Sequence, residues 1–563
     1  MANKKVVIVG GVAAGPKVAA RVRRVLPNAE ITIIERSKII SYAGCGMPLF
    51  IAGRVNKLDE LVSTSYGAIR NEDFFLQEKG VIVLTGTEAV SINRDKKQVI
   101  TKNLDTGAES ELDYDKLVLA TGSTPITPPI EGLNLKKVFR LYHPDDAVAI
   151  KEFIEKENVD APVIIGSGLI GMESAEAFMG KMLFPTVVEL RDQILPGILD
   201  PEMSATLKTK LEDMGMEFKL SHNVLKLEGD EEGNVIGVVT DQGTIDADMV
   251  IVAVGVRPNV ELARQAGLDI GETGAIAVNE FMQTSDPDIY AAGDCVENVN
   301  IITGRKVYVP LASTANKQGR VVADNIAGKK VSFKGILGTS VLEVNGINIG
   351  RTGLSEQQAR DLGYKVETAI NASHDRTHYH PKHGQVILKI ISDAETGRIL
   401  GAQGIGQGDV IKRIDVLAAA ITFKATLEDF FNIDLGYAPP FSTPIDIAAH
   451  ASNILRNKLE GLADSISAKE LQEKLERGDD FVLLDVRTLQ GYKSRHIEDK
   501  RVQLVPLHEL RNRLDEIPKD KEIVTICAMG TRSYEALRTL KGAGFNNVKY
   551  LEAGFEGWPY DYD

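Results

Sequence analysis

The sequence is poor in cysteine and tryptophan, has no long apolar run and carries no excess of positive charge. Its 563 residues include three cysteines and one tryptophan. Three cysteines are too few for a disulfide framework or a four-cysteine zinc site. The lack of about 18 consecutive apolar residues argues against a transmembrane helix. A formal charge of −14 argues against nucleic acid or an anionic membrane as a partner.

The N-terminal residues also lack a targeting signal. They run directly into the strand-like Val6–Val9, which leaves no room for a signal peptide. We therefore expect a cytoplasmic protein. A chain of 563 residues with 43% hydrophobic residues is ordinary in composition but too long for one core, so several domains are expected.

One pattern occurs twice: a β-branched strand, a glycine turn, a helix and a second strand that ends in an acidic residue. In such a βαβ unit the glycines let the backbone approach a pyrophosphate at the helix N-terminus, and the carboxylate binds a ribose. Glu35 follows Gly15 by 20 residues and Glu189 follows Gly171 by 18, near the expected spacing of about 20. Two dinucleotides are therefore predicted. The residues concerned are Gly10, Gly11, Gly15 and Glu35 in the first copy, and Gly166, Gly168, Gly171 and Glu189 in the second.

The character of the chain changes after about residue 330. A mixed α/β segment ends near Ala449–Ala451, and a polar connector follows at about Asn457–Ser467. The last hundred or so residues read as a small α/β domain with its own core. Its predicted strands are Phe481–Val486 and Glu522–Ile526, with helices from Ala468 and Ser533.

Three further segments, Leu117–Gly122, Ile251–Pro258 and Ile289–Asp294, resemble the FAD-dependent pyridine nucleotide-disulfide oxidoreductases. This resemblance implies FAD at the first nucleotide fold and NADH at the second. It also implies that Asp294 binds the ribityl chain of the flavin. Arg36, Thr121 and Gly122 are the other FAD-binding residues that it implies.

Within that family, Ser41–Pro48 resembles the single-cysteine motif of coenzyme A disulfide reductases, and Tyr437–Ser442 resembles a second motif of that group. The whole chain is similar to a coenzyme A disulfide reductase–rhodanese fusion, a group that includes NADH-dependent persulfide and polysulfide reductases. The implied fold is α/β, with two Rossmann-like domains, an α+β dimerisation domain and a C-terminal α/β rhodanese domain. The implied boundaries are 1–148 and 256–328 for FAD, 149–255 for NAD(P)H, 329–452 for dimerisation, 453–466 for a linker and 467–563 for rhodanese.

Cys45 is the predicted redox-active cysteine. A thiolate attacks a disulfide or persulfide, so the site must lower the pKa of this thiol. Gly46 and Pro48 suit a close approach to a helix N-terminus, which predicts a reactive thiolate. Cys295 has no comparable neighbours and is assigned to packing.

The resemblance also implies residues around the thiol. Tyr437 of one subunit is expected to reach the active site of the other, and Tyr379 with His380 is expected to donate protons. His380 replaces a tyrosine of the relatives and predicts turnover sensitive to pH near neutrality. Gly44 and Leu49 also differ from the residues usual in the motif, and the resemblance places both positions where coenzyme A binds. The predicted substrate-binding residues are Lys17, Arg21, Arg24, Ser41 and Asn316.

Four histidines, at positions 374, 378, 380 and 383, fall within ten residues. No acidic or cysteine ligand completes a recognisable metal-binding spacing there. We predict a loop that reaches toward the active site, and no metal.

Cys527 begins the segment Cys527–Ser533, which resembles a rhodanese active-site loop between a buried strand and a helix. Successive N–H groups in such a loop stabilise a thiolate or persulfide anion. Cys527 is therefore the predicted carrier of sulfane sulfur, with Gly530 and Arg532 binding it. Ala528 stands where relatives that use thiosulfate often have a basic residue, which favours persulfide donors.

The predicted function is reduction of a persulfide, polysulfide or coenzyme A disulfide by NADH through FAD and Cys45, in a homodimer. One alternative is an NADH oxidase or peroxidase that uses a Cys45 sulfenic acid. Another is a sulfur-trafficking protein with a redox-sensing flavin module. Glu189 favours NADH over NADPH because it repels a 2′-phosphate. The sequence leaves open the physiological acceptor, direct transfer between Cys527 and Cys45, and whether coenzyme A is substrate, bound cofactor or neither.

Overall fold

The computed structural model describes residues 4–561 and contains two compact units. Unit 1 holds the described residues up to Thr186 together with Asn223–Ile336, and unit 2 holds Val187–His222 and the described residues from Leu337 onward. Among residues 4–561, no helix is long and apolar enough to cross a membrane.

Unit 1 is built on a five-stranded parallel sheet. Its central strand, Lys5–Val9, buries four consecutive β-branched residues, as expected for a strand covered on both faces. The polar and glycine residues of the site follow the carboxyl ends of these strands, where ligands bind in open α/β sheets. In spatial order the strands are Ile289–Ala291, Lys116–Leu119, Lys5–Val9, Glu30–Ile34 and Ile82–Leu84.

A second parallel arrangement in unit 1 carries the second glycine turn. Pro162–Ile165 pairs with Met249–Val252, which pairs with Val138–Phe139. The helices of unit 1 are Ala14–Val25, Met47–Ile51, Leu58–Val62, Glu72–Lys79, Pro144–Lys156, Leu169–Met179, Glu261–Gln265 and Ala312–Ile326.

Antiparallel strands complete unit 1. Two three-stranded sheets are formed by Thr87–Asn93, Gln98–Asn103 and Glu109–Asp113, and by Val224–Gly229, Val235–Thr240 and Gly243–Asp246. Two ribbons pair Ser123–Pro125 with Val256–Pro258 and Asn298–Val299 with Lys306–Val307.

Unit 2 contains a five-stranded antiparallel sheet. Its order is Ser340–Val344, Ile347–Gly353, Ile399–Gly406, Gln385–Asp393 and Val366–His374. Its helices are Glu356–Asp361, Val410–Thr422, Leu427–Phe431 and Ile447–Leu459, and the segment Val187–His222 adds helix Pro201–Glu212 and strand Glu217–Lys219. Along the chain, the division between the units falls within strand Thr186–Val188.

The C-terminal part of unit 2 is a five-stranded parallel sheet with helices on both faces. In strand Phe481–Asp485, Val482 and Leu484 pack into one core and Phe481 and Leu483 into another, which follows from the alternation of side chains along a strand. Its strands in spatial order are Ser465–Ile466, Val548–Leu551, Glu522–Ile526, Phe481–Asp485 and Val502–Leu504, and its helices are Ala468–Arg477, Leu489–Ser494, Leu507–Leu510 and Thr531–Gly542.

The connector is shorter than the sequence predicts. Helix Ile447–Leu459 extends through the first part of the predicted linker, because Leu455 is buried and continues the apolar face begun by Ile447 and Ala451. The helix predicted from Ser533 also begins earlier, at Thr531. The strand predicted at Glu522–Ile526 has those bounds in the structure.

Candidate functional site: a thiol at a dinucleotide cavity

A cavity of about 880 Å³ in unit 1 brings the predicted FAD-binding residues and Cys45 together. The first glycine turn lies at its edge, where Gly10 has a φ of 111°. A Cβ on Gly15 would lie 1.9 Å from the carbonyl oxygen of Gly10, so the helix can approach the strand this closely only with glycine there. Helix Ala14–Val25 has no side-chain cap, and Val12, Ala13 and Ala14 line the cavity. An uncapped helix N-terminus of this kind fits a dinucleotide pyrophosphate.

Glu35 lines the same cavity at the end of the second strand. Its two carboxylate oxygens accept hydrogen bonds from Gly11 N at 2.6 Å and from Ser37 N at 2.8 Å. These bonds fix the orientation of a carboxylate that keeps further acceptor capacity toward the cavity. The arrangement fits a ribose hydroxyl at the position that the glycine spacing predicts.

Asp294, Thr121, Gly122 and Arg36 also line the cavity. Burial raises the pKa of Asp294, and the hydrogen bond from Ser123 opposes this effect only in part. The proton of the Thr121 hydroxyl is not directed into the cavity, because this hydroxyl donates its hydrogen bond to Asn259 O at 2.7 Å. Its role is therefore to hold the turn, whereas Asp294 presents a carboxylate. Together these residues fit FAD.

Cys45 lies in the single turn Gly44–Gly46, immediately before the short helix Met47–Ile51, and is exposed to the cavity. The prediction of a lowered thiol pKa is wrong for this arrangement. Desolvation by the cavity walls raises the pKa of Cys45, the charge of Glu173 raises it further, and a backbone hydrogen bond only partly opposes them. A five-residue helix adds too little dipole to reverse the sign.

Glu173 was not predicted from the sequence. It lies in helix Leu169–Met179, two residues after Gly171, and lines the cavity with Ile170. Among the described residues it has no hydrogen bond or ion pair, and burial raises its pKa to about 7. A perturbed carboxyl beside a reactive thiol is a mark of a functional site.

The predicted substrate-binding residues of unit 1 divide into two groups. Lys17, Ser41 and Asn316 line the cavity. Arg21 does not, since it forms an ion pair with Asp324 on helix Ala312–Ile326 at 2.8 Å. Arg24 donates to Ala20 O within its own helix and is likewise not brought to the cavity.

Part of the cavity wall consists of residues that were not predicted from the sequence. Arg70 and Lys79 supply positive charge, and burial lowers the pKa of Arg70. The Lys79 ammonium lies 5.0 Å from the centre of the Phe74 ring. Such a combination of cations and aromatic rings suits an extended, anionic substrate arm. The residues that form this part of the wall are Thr64, Tyr66, Arg70, Phe74, Phe75 and Lys79.

The second glycine turn has the same local design as the first. A Cβ on Gly171 would lie 2.0 Å from Gly166 O, whereas a Cβ on Gly168 would meet no atom within 4 Å. The space next to Gly168 is therefore not filled by other atoms of unit 1 or unit 2. Glu189 belongs to unit 2, where one of its oxygens accepts from Arg191 N at 2.9 Å.

Tyr379, His380 and Tyr437 lie in unit 2 on two surface segments. The Tyr379 side chain is 65% exposed and that of Tyr437 is 48% exposed. In the histidine group the rings of His374 and His383 are in edge contact at 4.7 Å, and burial lowers the pKa of His374. Within residues 4–561, the one group of three potential metal ligands is instead Asp200, Glu202 and Glu356, and Lys389 forms ion pairs with all three.

Cys527 lies at the end of strand Glu522–Ile526 and is 1% exposed. Its sulfur accepts a hydrogen bond from Gly530 N at 3.2 Å, and Gly530 caps helix Thr531–Gly542 with a φ of 99°. Phe555 N donates to Cys527 O at 3.0 Å, which fixes the other side of the loop. Arg532 follows in the first turn. The arrangement fits stabilisation of an anionic sulfur.

Residues 4–319 match the pyridine nucleotide-disulphide oxidoreductase family, and residues 343–449 match the dimerisation domain of that family. The chain belongs to the pyridine nucleotide-disulphide oxidoreductases. Residues 467–560 match the rhodanese-like domain.

Two solved structures are similar over the full chain. A NAD-dependent persulfide reductase from A. fulgidus is 43% identical with a TM-score of 0.94, covering 98% of this chain and 100% of that one. Bacillus anthracis CoADR-RHD is 35% identical with a TM-score of 0.91, covering 99% and 98%. A Pyrococcus horikoshii protein, NAD(P)H coenzyme A polysulfide/persulfide reductase, is 40% identical over 454 residues, which is 81% of this chain and 99% of the relative.

The predicted family, fold class and enzyme class are confirmed by these comparisons. They also support FAD and NADH as cofactors, and they favour neither the oxidase nor the sulfur-trafficking alternative.

Proposed function

We propose that the protein uses NADH to reduce the sulfur–sulfur bond of a persulfide, polysulfide or coenzyme A disulfide at Cys45, with Cys527 as a separate carrier of sulfane sulfur. The observation that carries the proposal is the shared cavity of unit 1. Cys45, the uncapped helix after the first glycine turn, Glu35 and Asp294 all line it. A thiol that opens onto a flavin site can exchange electrons with bound substrate sulfur.

The chemistry at Cys45 starts from its thiolate. This thiolate attacks one sulfur of the substrate, the substrate S–S bond breaks, and the other sulfur leaves as a thiol or hydrosulfide after taking a proton. Two electrons and a proton from NADH then break the new S–S bond at Cys45, which releases the second sulfur and restores the thiolate. FAD, when bound, supplies the transfer of those two electrons from nicotinamide to sulfur.

The proton for the leaving sulfur is assigned to Tyr379, His380 or Tyr437 in a homodimer. Support comes from the dimerisation domain and from the exposure of Tyr379, Tyr437 and Phe441 on the surface of unit 2. Exposed aromatic residues that lie close together in one domain are typical of an interaction surface. We assign the dimer to the cytoplasm, where NADH is supplied.

Lys17, Asn316, Arg70 and Lys79 are assigned to binding the anionic part of the substrate. All four line the cavity that contains Cys45. Cation-rich walls would attract the phosphates of a coenzyme A thiol or the charge of a polysulfide despite the net negative charge of the chain.

The test is anaerobic NADH oxidation by the FAD-loaded protein with coenzyme A persulfide, coenzyme A disulfide and polysulfide. Cys45→Ser should lower turnover with every sulfur acceptor by at least about a hundredfold, because it removes the attacking sulfur. Cys527→Ser should affect only those donors that need the sulfur carrier. Cys295→Ser is the matched control, since Cys295 is buried and donates only to backbone carbonyls.

Release of hydrosulfide that depends on Cys45 would support the proposal. Turnover with oxygen or peroxide but with no sulfur acceptor would instead identify an oxidase.

A further inference from the structure

One buried arginine joins the bases of two surface segments in unit 2. The first, tip segment A, is residues 375–384 and carries Tyr379 and His380; the second, tip segment B, is residues 437–442 and carries Tyr437. Arg413, on helix Val410–Thr422, is 2% exposed. Its Nη2 donates to Asp375 O at 2.6 Å and to Asp446 Oδ2 at 2.7 Å.

Tip segment A is closed at its base by Asp375, which is 1% exposed. Its Oδ1 accepts from Gly384 N at 2.9 Å and its Oδ2 accepts from Asp409 N at 3.0 Å. Burial raises the pKa of Asp375, but the hydrogen bonds from Arg376, Gly384 and Asp409 outweigh it, so the pKa lies below its usual value. The carboxylate therefore remains charged and holds both ends of the segment.

Tip segment B is attached to the same group by three contacts. Arg376 Nη1 donates to Pro440 O at 3.0 Å, and Thr377 Oγ1 donates to Pro439 O at 3.3 Å. Ser442 Oγ donates to Asp446 Oδ2 at 3.0 Å, and that carboxylate is also bound by Arg413. Both proline carbonyls lie within three residues of Tyr437.

Arg413, Asp375 and Asp446 are buried, and Arg376 and Asp409 complete the group of charges at its more exposed edge. Guanidinium bonds to backbone carbonyls are directional, so they set where a segment lies and not only how stable it is. The tips themselves remain exposed at Tyr379 and Tyr437. Exposed proton donors that stand on a rigid, buried base are held in a fixed position for reaction.

We propose that Arg376 and Arg413 are positioning residues that hold the two tip segments as one rigid unit, and so set the place of Tyr437 relative to Tyr379 and His380 during sulfur reduction. The proposal rests on the proposed function, since it assigns these tips to proton donation. Neither arginine touches substrate in this assignment.

The first test is a double-mutant cycle of Arg376→Gln and Tyr437→Phe, with polysulfide as acceptor. Arg376→Gln alone should lower kcat by on the order of tenfold, while the KM for NADH and the rate of flavin bleaching by NADH stay unchanged. In the Tyr437→Phe background the same substitution should add no further loss, because the group it positions is gone. Losses that multiply, or slower flavin bleaching in Arg376→Gln, would overturn the proposal.

The second test does not depend on sulfur turnover and so separates failure of this inference from failure of the proposed function. Amide hydrogen exchange of the holoenzyme should accelerate more in tip segment B than in tip segment A for Arg376→Gln, because Gly384 N and Asp409 N still bind Asp375. It should accelerate in both tip segments for Arg413→Lys, because one ammonium cannot reproduce the guanidinium bonds to Asp375 O and to Asp446. Arg360→Gln is the control in the same domain, because it removes a half-exposed guanidinium that pairs with Glu356 and bonds to neither tip segment. Unchanged exchange in both tip segments would refute a positioning role even if the enzyme is active.

Discussion

At the residue scale, the charge of Glu173 adds to the desolvation that raises the pKa of the Cys45 thiol. The pKa of Glu173 is itself raised to about 7 by burial. Glu173→Gln removes the charge, so the pKa of Cys45 should fall and the midpoint of its alkylation should move to lower pH. The measurement is the rate of iodoacetamide reaction against pH in a Cys527→Ser background, with Glu152→Gln as an exposed control. A midpoint that stays or rises would show that Glu173 does not act on the thiol.

The same carboxyl gives a stability prediction with a definite sign. Because the pKa of Glu173 in the folded protein lies above that of an unfolded chain, the folded state binds more protons between about pH 4.5 and 7. Ionisation of Glu173 therefore destabilises the fold as the pH rises through that window. Glu173→Gln should raise the melting temperature at pH 8 but not at pH 4, and an equal effect at both values would contradict the assignment.

The sequence identifies candidate thiols more readily than it identifies the residues around them. Cys45 and Cys527 were predicted because each stands in a recognisable local motif. The raised pKa of Cys45 was missed because it depends on cavity walls and on Glu173, which is distant in sequence and reads as an ordinary helical residue. Arg21 was assigned to substrate binding from the resemblance to related reductases, whereas in this chain Asp324 forms an ion pair with it.

At the scale of elements, glycine turns were the most predictable features, because a close approach of strand and helix excludes any side chain. The wall from Thr64 to Lys79 was not predictable in this way. Helix Glu72–Lys79 reaches the cavity through tertiary packing of Phe74 and Phe75, and nothing in its local sequence pattern indicates a ligand site. Local sequence patterns therefore predict the glycine turns at the cofactor site, whereas the residues of the substrate wall come together only in the folded chain.

The second glycine turn allows a prediction that separates folding from binding. Gly168→Ala meets no atom within 4 Å, and its φ of −71° suits alanine, so the variant should fold with a loss below about 1 kcal/mol. Its methyl group occupies the open face of the turn, and the KM for NADH should rise about tenfold or more. Steady-state kinetics with thermal unfolding provides the measurement.

Gly171→Ala is the contrasting variant. Its Cβ would lie 2.0 Å from Gly166 O, so the strand–helix contact must open, with a loss of about 2 kcal/mol or more in stability. If Gly168→Ala instead leaves the KM for NADH unchanged, this turn does not hold the nicotinamide nucleotide.

At the scale of the whole molecule, the rhodanese-like domain is bound to the dimerisation domain inside unit 2 by a buried ionic cluster. Glu552, which follows the last strand of the rhodanese-like sheet, is 6% exposed. Its oxygens accept from Lys458 at 2.8 Å, from Ser465 at 2.7 Å and from Ile370 N at 3.2 Å. Two residues later Gly554 begins the turn against the Cys527 loop. The contact thus connects the Cys527 loop to the antiparallel sheet, and this docking does not follow from either domain's sequence motif alone.

Lys458 is the cation of this cluster, since its ammonium also pairs with Glu367 at 2.7 Å. Lys458→Met removes the cation that pairs with the buried Glu552 carboxylate and with the partly exposed Glu367, and should cost about 3 kcal/mol of unfolding free energy. It should also increase proteolysis between residues 460 and 464, where the two domains are connected. Lys469→Met breaks an exposed pair with Glu473 and should cost less than about 0.5 kcal/mol. Calorimetry together with limited proteolysis tests both variants. If Lys458→Met behaves like Lys469→Met, the rhodanese-like domain is held by its other contacts, such as the hydrogen bonds that Thr206 and Thr209 donate to Gly557 O and Pro559 O, and not by this cluster.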